Sequence, residues 1–192
     1  MSSTALIDWQ TSVAEALSQL EAAHRAVGGT HVGRRTNTLQ LNYAFVLLLS
    51  AHFQAYCRGL HSEATQWLAD VAEPGVGAVL ALNLTLHRQL DSRNAQPASL
   101  GADFSRFGFE FWAAVEASDV RNRIRREKLR RLNDWRNAIA HHDIDRRRLD
   151  LTPREITLEV CRSWRNALNG LARSFDLVLA NRLAVVVQSR PW

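Results

Sequence analysis

The chain has 192 residues and a mass of 21.7 kDa, enough for one well-cored domain and short for two. Hydrophobic residues make up 46% and charged residues 22%, the balance of a globular protein rather than a disordered or fibrous one. Nine glycines and four prolines are too few for a sandwich of many short, tightly turned strands, and a net charge of +5 with a pI near 10.2 points to an anionic partner. Nothing approaches the roughly 18 apolar residues that a membrane span requires; the longest run, Ala44 to Leu49, stops at Ser50. Met1 to Gln10 has no basic region leading into an apolar stretch, so no secretory signal is expected. Cys57 and Cys161 form no CxxC pair and read as reduced thiols of a cytoplasmic protein.

In chain order, Leu6, Trp9, Val13, Ala16, Leu20, Ala23 and Val27 recur in steps of three and four, which predicts a helix over about 4–27 ended by Gly28 and Gly29. After the polar connector Thr30 to Asn37, ten positions from Leu39 to Val71 follow a strict 4-3-4-3 rhythm, the pattern of one long bundle helix. Pro74 and Gly75 break it. Residues 76–90 read as a shorter helix and Asp91 to Gly101 as a loop. The aromatic cluster Phe104, Phe107, Phe109, Phe111 and Trp112 reads as core rather than as a base-stacking platform. A basic helix is expected from Val120 to about Ala140, capped by Ser118 or Asp119, with Leu129, Leu132, Trp135 and Ile139 inward. Thr152-Pro153-Arg154-Glu155 has the form of a capping box, predicting that the final helix starts there and runs through Val178. Only Leu183 to Val187 shows strand-like alternation. These segments predict an all-α fold, an antiparallel helical bundle of about five helices in a single domain over 1–192, with a core at roughly 39–180 and the N-terminal helix packed on it.

The charge is concentrated. Residues 121–148 hold eleven basic side chains against four acidic ones, a net +7 that leaves −2 for the rest of the chain. Such a segment is the electrostatic footprint of a nucleic-acid binder, and Arg121, Arg123, Arg125, Arg126, Lys128, Arg130 and Arg131 are its RNA-binding candidates. The seven histidines and two cysteines share no zinc-ligand spacing, so neither a metal site nor a cofactor is expected. Gly28 to Arg35 lacks the Gly-Lys-Ser/Thr ending of a phosphate loop, and no nucleophile has an identifiable base beside it.

What remains is Arg136-Asn137-Ala138-Ile139-Ala140-His141-His142-Asp143 at the end of the basic helix. Arginine grips phosphate oxygens with two donors at any working pH, and histidine exchanges a proton near neutrality. Together they supply what RNA cleavage without a metal needs: a cation for charge developing at phosphorus, and an acid or base for the 2′-hydroxyl or the leaving oxygen. This run resembles the nuclease motif of the HEPN superfamily, an arginine, a polar residue that is often asparagine, and a histidine four to six residues beyond the arginine. Bare spacing recurs at Arg25 to His31, so the resemblance rests on the Arg-Asn pair, the Ala-Ile-Ala spacer, the helix-ending histidine and the capped final helix expected about ten residues later, all within an all-helical chain. It implies a HEPN-like fold and a metal-independent endoribonuclease acting as a homodimer on RNA, as a toxin or phage-defence effector, with an antitoxin protein as a further partner. Carried over, Arg136 is the phosphate-binding cation, His141 the general acid or base, and Asn137 the polar residue that orients it, with His142 in reserve. Asp143 stands where HEPN toxins paired with a nucleotidyltransferase have tyrosine, which argues against that pairing. The alternative is a non-catalytic HEPN-like bundle that binds RNA or a partner protein through its arginine-rich helix. On an ideal helix Arg136 and His141 stand about 140° and about 7.5 Å apart, so a working pair is expected to form between two chains across a two-fold axis.

Overall fold

The computed structural model describes residues 1–28, 36–144 and 150–192. Asp145, Arg146, Arg147, Arg148, His31 and most of the polar connector lie outside the described residues. The fold is 80% helix, and no strand forms among the described residues. None of these helices is long and apolar enough to cross a membrane.

Four long helical runs carry the core. The first is α1 (Thr4–Asp8), a single π-helical turn (Trp9–Val13) and α2 (Ala14–Gly28), as the apolar spacing predicts. α3 (Thr36–Val71) follows, and the whole 4-3-4-3 series lies on it. α4 (Pro74–Thr85), α5 (Pro97–Phe104) and α6 (Phe111–Ser118) are short. α7 (Asn122–Ala140) and α8 (Leu158–Val187) complete the set. The first run packs antiparallel to α3, with Ala5 beside Gly59 and Trp9 beside Phe53. α7 runs antiparallel to α8, since Asn122 meets Ser174 while Lys128 meets Ser163. α3 and α8 are therefore parallel, joined by Asn42 donating to the Ile156 carbonyl and Tyr56 to that of Ala172.

Several boundaries differ from expectation. Pro74 and Gly75 do follow the end of α3, but they also begin α4 two residues earlier than expected, because proline at the first helical position gives up an N–H that no helix bond would use. Pro97 does the same for α5 inside the stretch read as loop. The helix expected over 76–90 ends at Thr85, and a 3-10 turn follows at Gln89–Asp91, its amides held by the buried Asp103 carboxylate. The Thr152 to Glu155 box caps nothing. α8 starts at Leu158, where the Thr157 hydroxyl accepts from the Val160 N–H, and it runs unbroken through Leu183 to Val187. Neither Ser118 nor Asp119 caps α7 in the expected way: Arg121 is the N-cap residue, and Asp119 accepts its backbone N–H from just outside the helix.

The aromatic cluster is core. Phe104 stacks on Phe111 at 4.6 Å between centroids, and Phe111 and Trp112 both meet Phe175 edge-on. That packing fixes α6 against α8 and so sets where the following turn launches α7.

Candidate active site

α7 is amphipathic, and its buried side anchors the candidate site. Leu129, Leu132, Trp135 and Ile139 face the core as predicted, joined by Ala138. Trp135 is the main anchor: its indole N–H donates to the Pro153 carbonyl at 2.9 Å, and its ring lies 6.3 Å from that of Tyr43 on α3. The residue that follows it, Arg136, is thereby held at the edge between core and solvent, half-buried.

The helix ends about one turn later in a Schellman arrangement. The Asp143 N–H reaches back to the Ala138 carbonyl at 2.9 Å and the His142 N–H to that of Ile139 at 3.3 Å. His141 is the C-cap residue, and His142 takes the left-handed conformation (φ 52°) in which glycine is usually found. Both histidines are exposed, and neither ring has a hydrogen-bond partner among the described residues. The end of α7 thus presents two imidazoles to solvent one turn beyond an arginine.

Asn137 does not orient His141 as expected. Its Oδ1 accepts from Asn94 Nδ2 at 2.7 Å and from Arg136 Nη1 at 3.2 Å, and no hydrogen bond links it to the imidazole among the described residues. The reason is a neighbour far away in sequence: the turn before α5 brings Asn94 against α7 and takes the amide oxygen. The turn itself is tied to α3, where Gln54 donates to the carbonyls of Leu90 and Arg93. Asn137 therefore steadies Arg136, and its own NH₂ has no hydrogen-bond partner among the described residues. Asn94 is the site residue that sequence reasoning misses, since no motif connects positions 43 residues apart.

Arg136 is also distinctive for what it lacks. No carboxylate pairs with it among the described residues, whereas most of the other arginines of α7 are engaged. Arg121 and Arg125 share Asp119 at 2.8 Å each. Arg126 pairs with Glu116 and lies 4.6 Å over the Trp112 ring. Arg130 bridges Glu127 and Asp134, and Arg131 also meets Glu127. Hydrogen bonds from Arg121 hold the Asp119 carboxyl far below the usual carboxylate range. Those from Arg130 and Arg131 bring Glu127 down to about 2. Arg123 is exposed and has no partner among the described residues.

The RNA-binding candidates also divide by side. Arg121, Arg125 and Lys128 join Arg162, Ser163 and Asn166 of α8 around an open groove of about 560 Å³. Lys128 donates to Ser163 at 2.7 Å and has no carboxylate partner among the described residues. Gly170 makes room for the Arg125 guanidinium, which a Cβ there would meet at 2.3 Å. Helical geometry puts Arg136 about 80° around α7 from Lys128 and about 12 Å along it, and equally about 80° from Arg126, while Arg123 and Arg130 lie about 140–160° from Lys128. Arg162, Ser163 and Asn166 carry no sequence signal of their own, because only the crossing of α7 and α8 gives them a role.

Among the described residues no group of three or more His, Cys, Asp or Glu side chains is placed so that it could hold a metal ion. No family model, curated protein or solved structure matches the chain.

Proposed function

We propose that the chain is a metal-independent endoribonuclease of the HEPN type, acting in the cytoplasm as a toxin or phage-defence effector. Its site is built from Arg136, Asn137 and His141, with His142 the reserve histidine. The observation that carries this reading is the state of Arg136. It has no carboxylate to displace among the described residues, it is steadied by an amide that Asn94 holds in place, and it stands one turn before two exposed histidines.

A phosphodiester drawn to Arg136 meets a fixed cation of the kind that stabilises charge building on phosphorus. The imidazole of His141 takes the proton of the 2′-hydroxyl, or delivers one to the departing 5′-oxygen. Attack of the 2′-oxygen then leaves a 2′,3′-cyclic phosphate on one fragment and a 5′-hydroxyl on the other. The NH₂ of Asn137, without a partner among the described residues, is available to donate to a phosphate oxygen, and Lys128 in the groove supplies a cation for the adjoining backbone. The separation of Arg136 and His141 along one helix favours a pair formed between two chains, one protomer giving the arginine and its partner the histidine.

Purified protein is expected to cut single-stranded RNA equally well with and without EDTA and to leave the cyclic phosphate. A requirement for magnesium would sink the mechanism. Arg136→Ala and His141→Ala, each inactive alone, should regain cleavage when mixed dimers form. Verified mixed dimers with no activity above either parent would exclude the cross-chain pair. An antitoxin is expected to act by covering the end of α7.

A further inference from the structure

α4 has the composition of an interior helix and the position of a surface one. From Pro74 to Leu86 there is no charged residue, yet only Gly77 and Leu84 of the helix are buried. Gly77 makes the seam with α3: a Cβ there would come to 2.3 Å from the Ala69 carbonyl oxygen, so the two backbones cross in contact. Arg106 secures the other end, its guanidinium donating to the carbonyls of Asn83, Leu84, Leu86 and His87. On the side away from that seam Val76, Val79, Leu82 and Leu86 are 51–59% exposed. A helix that is apolar all round is ordinarily buried all round, and a contiguous exposed apolar patch marks a docking surface.

We propose that α4 docks on α4 of a second copy of this chain, antiparallel across a two-fold axis that passes near Val79 and Leu80. Charge selects this occupant. The exposed Asp70 and Glu73 stand at the N-terminal end of α4 and the exposed Arg106 at its C-terminal end. An antiparallel pair lays the two acids of each copy beside Arg106 of the partner subunit, at both ends of the contact, and opposes the helix dipoles. A parallel pair would set acid against acid. An anionic lipid surface would meet the acids too, and α4 has none of the lysines or arginines with which an interfacial helix holds headgroups.

Area supports the same choice. With Val71 and Leu80 included, the exposed side chains cover roughly 500 Å² per copy, so a pair buries about 1,000 Å², the lower bound for a specific interface. The contact is isologous and closes on itself. It is also separate from the site at the end of α7. Trp135 lies beside Tyr43 near the start of α3, while Gly77 crosses α3 at Ala69, about 39 Å further along that helix.

Sedimentation velocity on the full chain tests this. The wild-type protein should self-associate, and the double variant Val79→Glu, Leu82→Glu should lose one step of association with its helical circular dichroism unchanged. That step is dimer to monomer, or tetramer to dimer if the ends of α7 also pair. Asp70→Lys with Glu73→Lys should weaken the association about ten-fold through loss of the end contacts. In Val79→Cys the new thiol is the accessible one, because Cys57 and Cys161 are buried, and mild oxidation should join two chains through position 79. Val185→Cys, at an exposed position on α8, should not cross-link in this way. A monomeric wild type, an unchanged mass for Val79→Glu, Leu82→Glu, or equal cross-linking at positions 79 and 185 would overturn the proposal. So would a monomer that floats with anionic phosphatidylserine vesicles, which would assign the patch to lipid. Acid reversals without effect would overturn the antiparallel arrangement.

Discussion

The two ends of α7 hold the same kind of residue in opposite states. At its start, Arg121 and Arg125 divide Asp119 between them, and Arg126 is held by Glu116 and the face of Trp112. At its end, Arg136 meets only an amide oxygen among the described residues. The histidines divide in the same way. His61 on α3 is buried between the Asp103 carbonyl, Thr65 and Arg88, and burial with the Arg88 charge lowers its pKa to about 4. His141 and His142 stand in solvent. The number of cations in a segment thus sets its field and solubility, whereas reach to a ligand depends on which cations must first surrender a carboxylate.

The largest test of this contrast is cleavage. Arg136→Ala or His141→Ala should each cost about 10²–10⁴-fold in single-turnover RNA cleavage, while Arg126→Ala and Arg130→Ala should leave the rate within about three-fold, since their charges are already answered. Equal losses at both ends of the helix would break the comparison.

Next in size is the acid response of the buried histidine. His61 stays neutral in the folded protein down to about pH 4, while in the unfolded chain it takes a proton near the ordinary histidine value of 6.5. Its contribution to stability is therefore complete above about pH 6.5, is lost as pH falls through the window from 6.5 to 4, and amounts there to on the order of 3 kcal/mol. Urea melts across that range should show the decline, and His61→Gln should flatten it. A decline of the same size in the variant would place its origin elsewhere.

A smaller and less intuitive effect comes from deleting an acid. Asp119→Ala releases Arg121 and Arg125 at the groove, so the salt dependence of RNA binding, measured on an uncleaving His141→Ala background, should steepen by up to about 1.4 in the log–log slope. The start of the helix should melt slightly more readily at the same time, because the Arg121 N–H loses its acceptor. Smallest of all, Lys128→Ala should reduce the slope by about 0.7 while Arg123→Ala leaves it unchanged. That pair separates a cation facing the groove from one that is merely unpaired. An equal response from both would assign RNA binding to the whole helix rather than to one side of it.

Periodicity made much of the fold legible. The ten-position rhythm from Leu39 to Val71 belongs to one helix, and Leu129, Leu132 and Trp135 lie inward as their spacing implies, because helical repeats are set locally. The break at Pro74 holds, since α3 ends at Val71, but Pro74 also opens α4, and Pro97 opens α5 inside a stretch that reads as loop, because proline reads as a stop until the chain direction shows it to be a start. The Thr152 box failed for a related reason, since Thr157 offers a cap one turn later. In the site, Arg136, Asn137 and His141 were legible as a motif, but the work of Asn137 was not. Its partner Asn94 arrives through the packing of a distant turn. The neutralisation of α7 is hidden similarly: Glu116 and Asp119 precede the basic stretch 121–148 in sequence, and ion pairing obeys distance in space.

His142 carries a consequence of its own. Its left-handed backbone at the helix end is a place where glycine would relieve up to about 1 kcal/mol of steric cost, worth about 2–4 °C of melting temperature in a chain of this length. A laboratory selection for heat resistance alone should therefore drift to His142→Gly. If cleavage survives in the hardened protein, His141 does the proton transfer. If it vanishes, the chain has been holding a thermally expensive residue because that imidazole is the one in use.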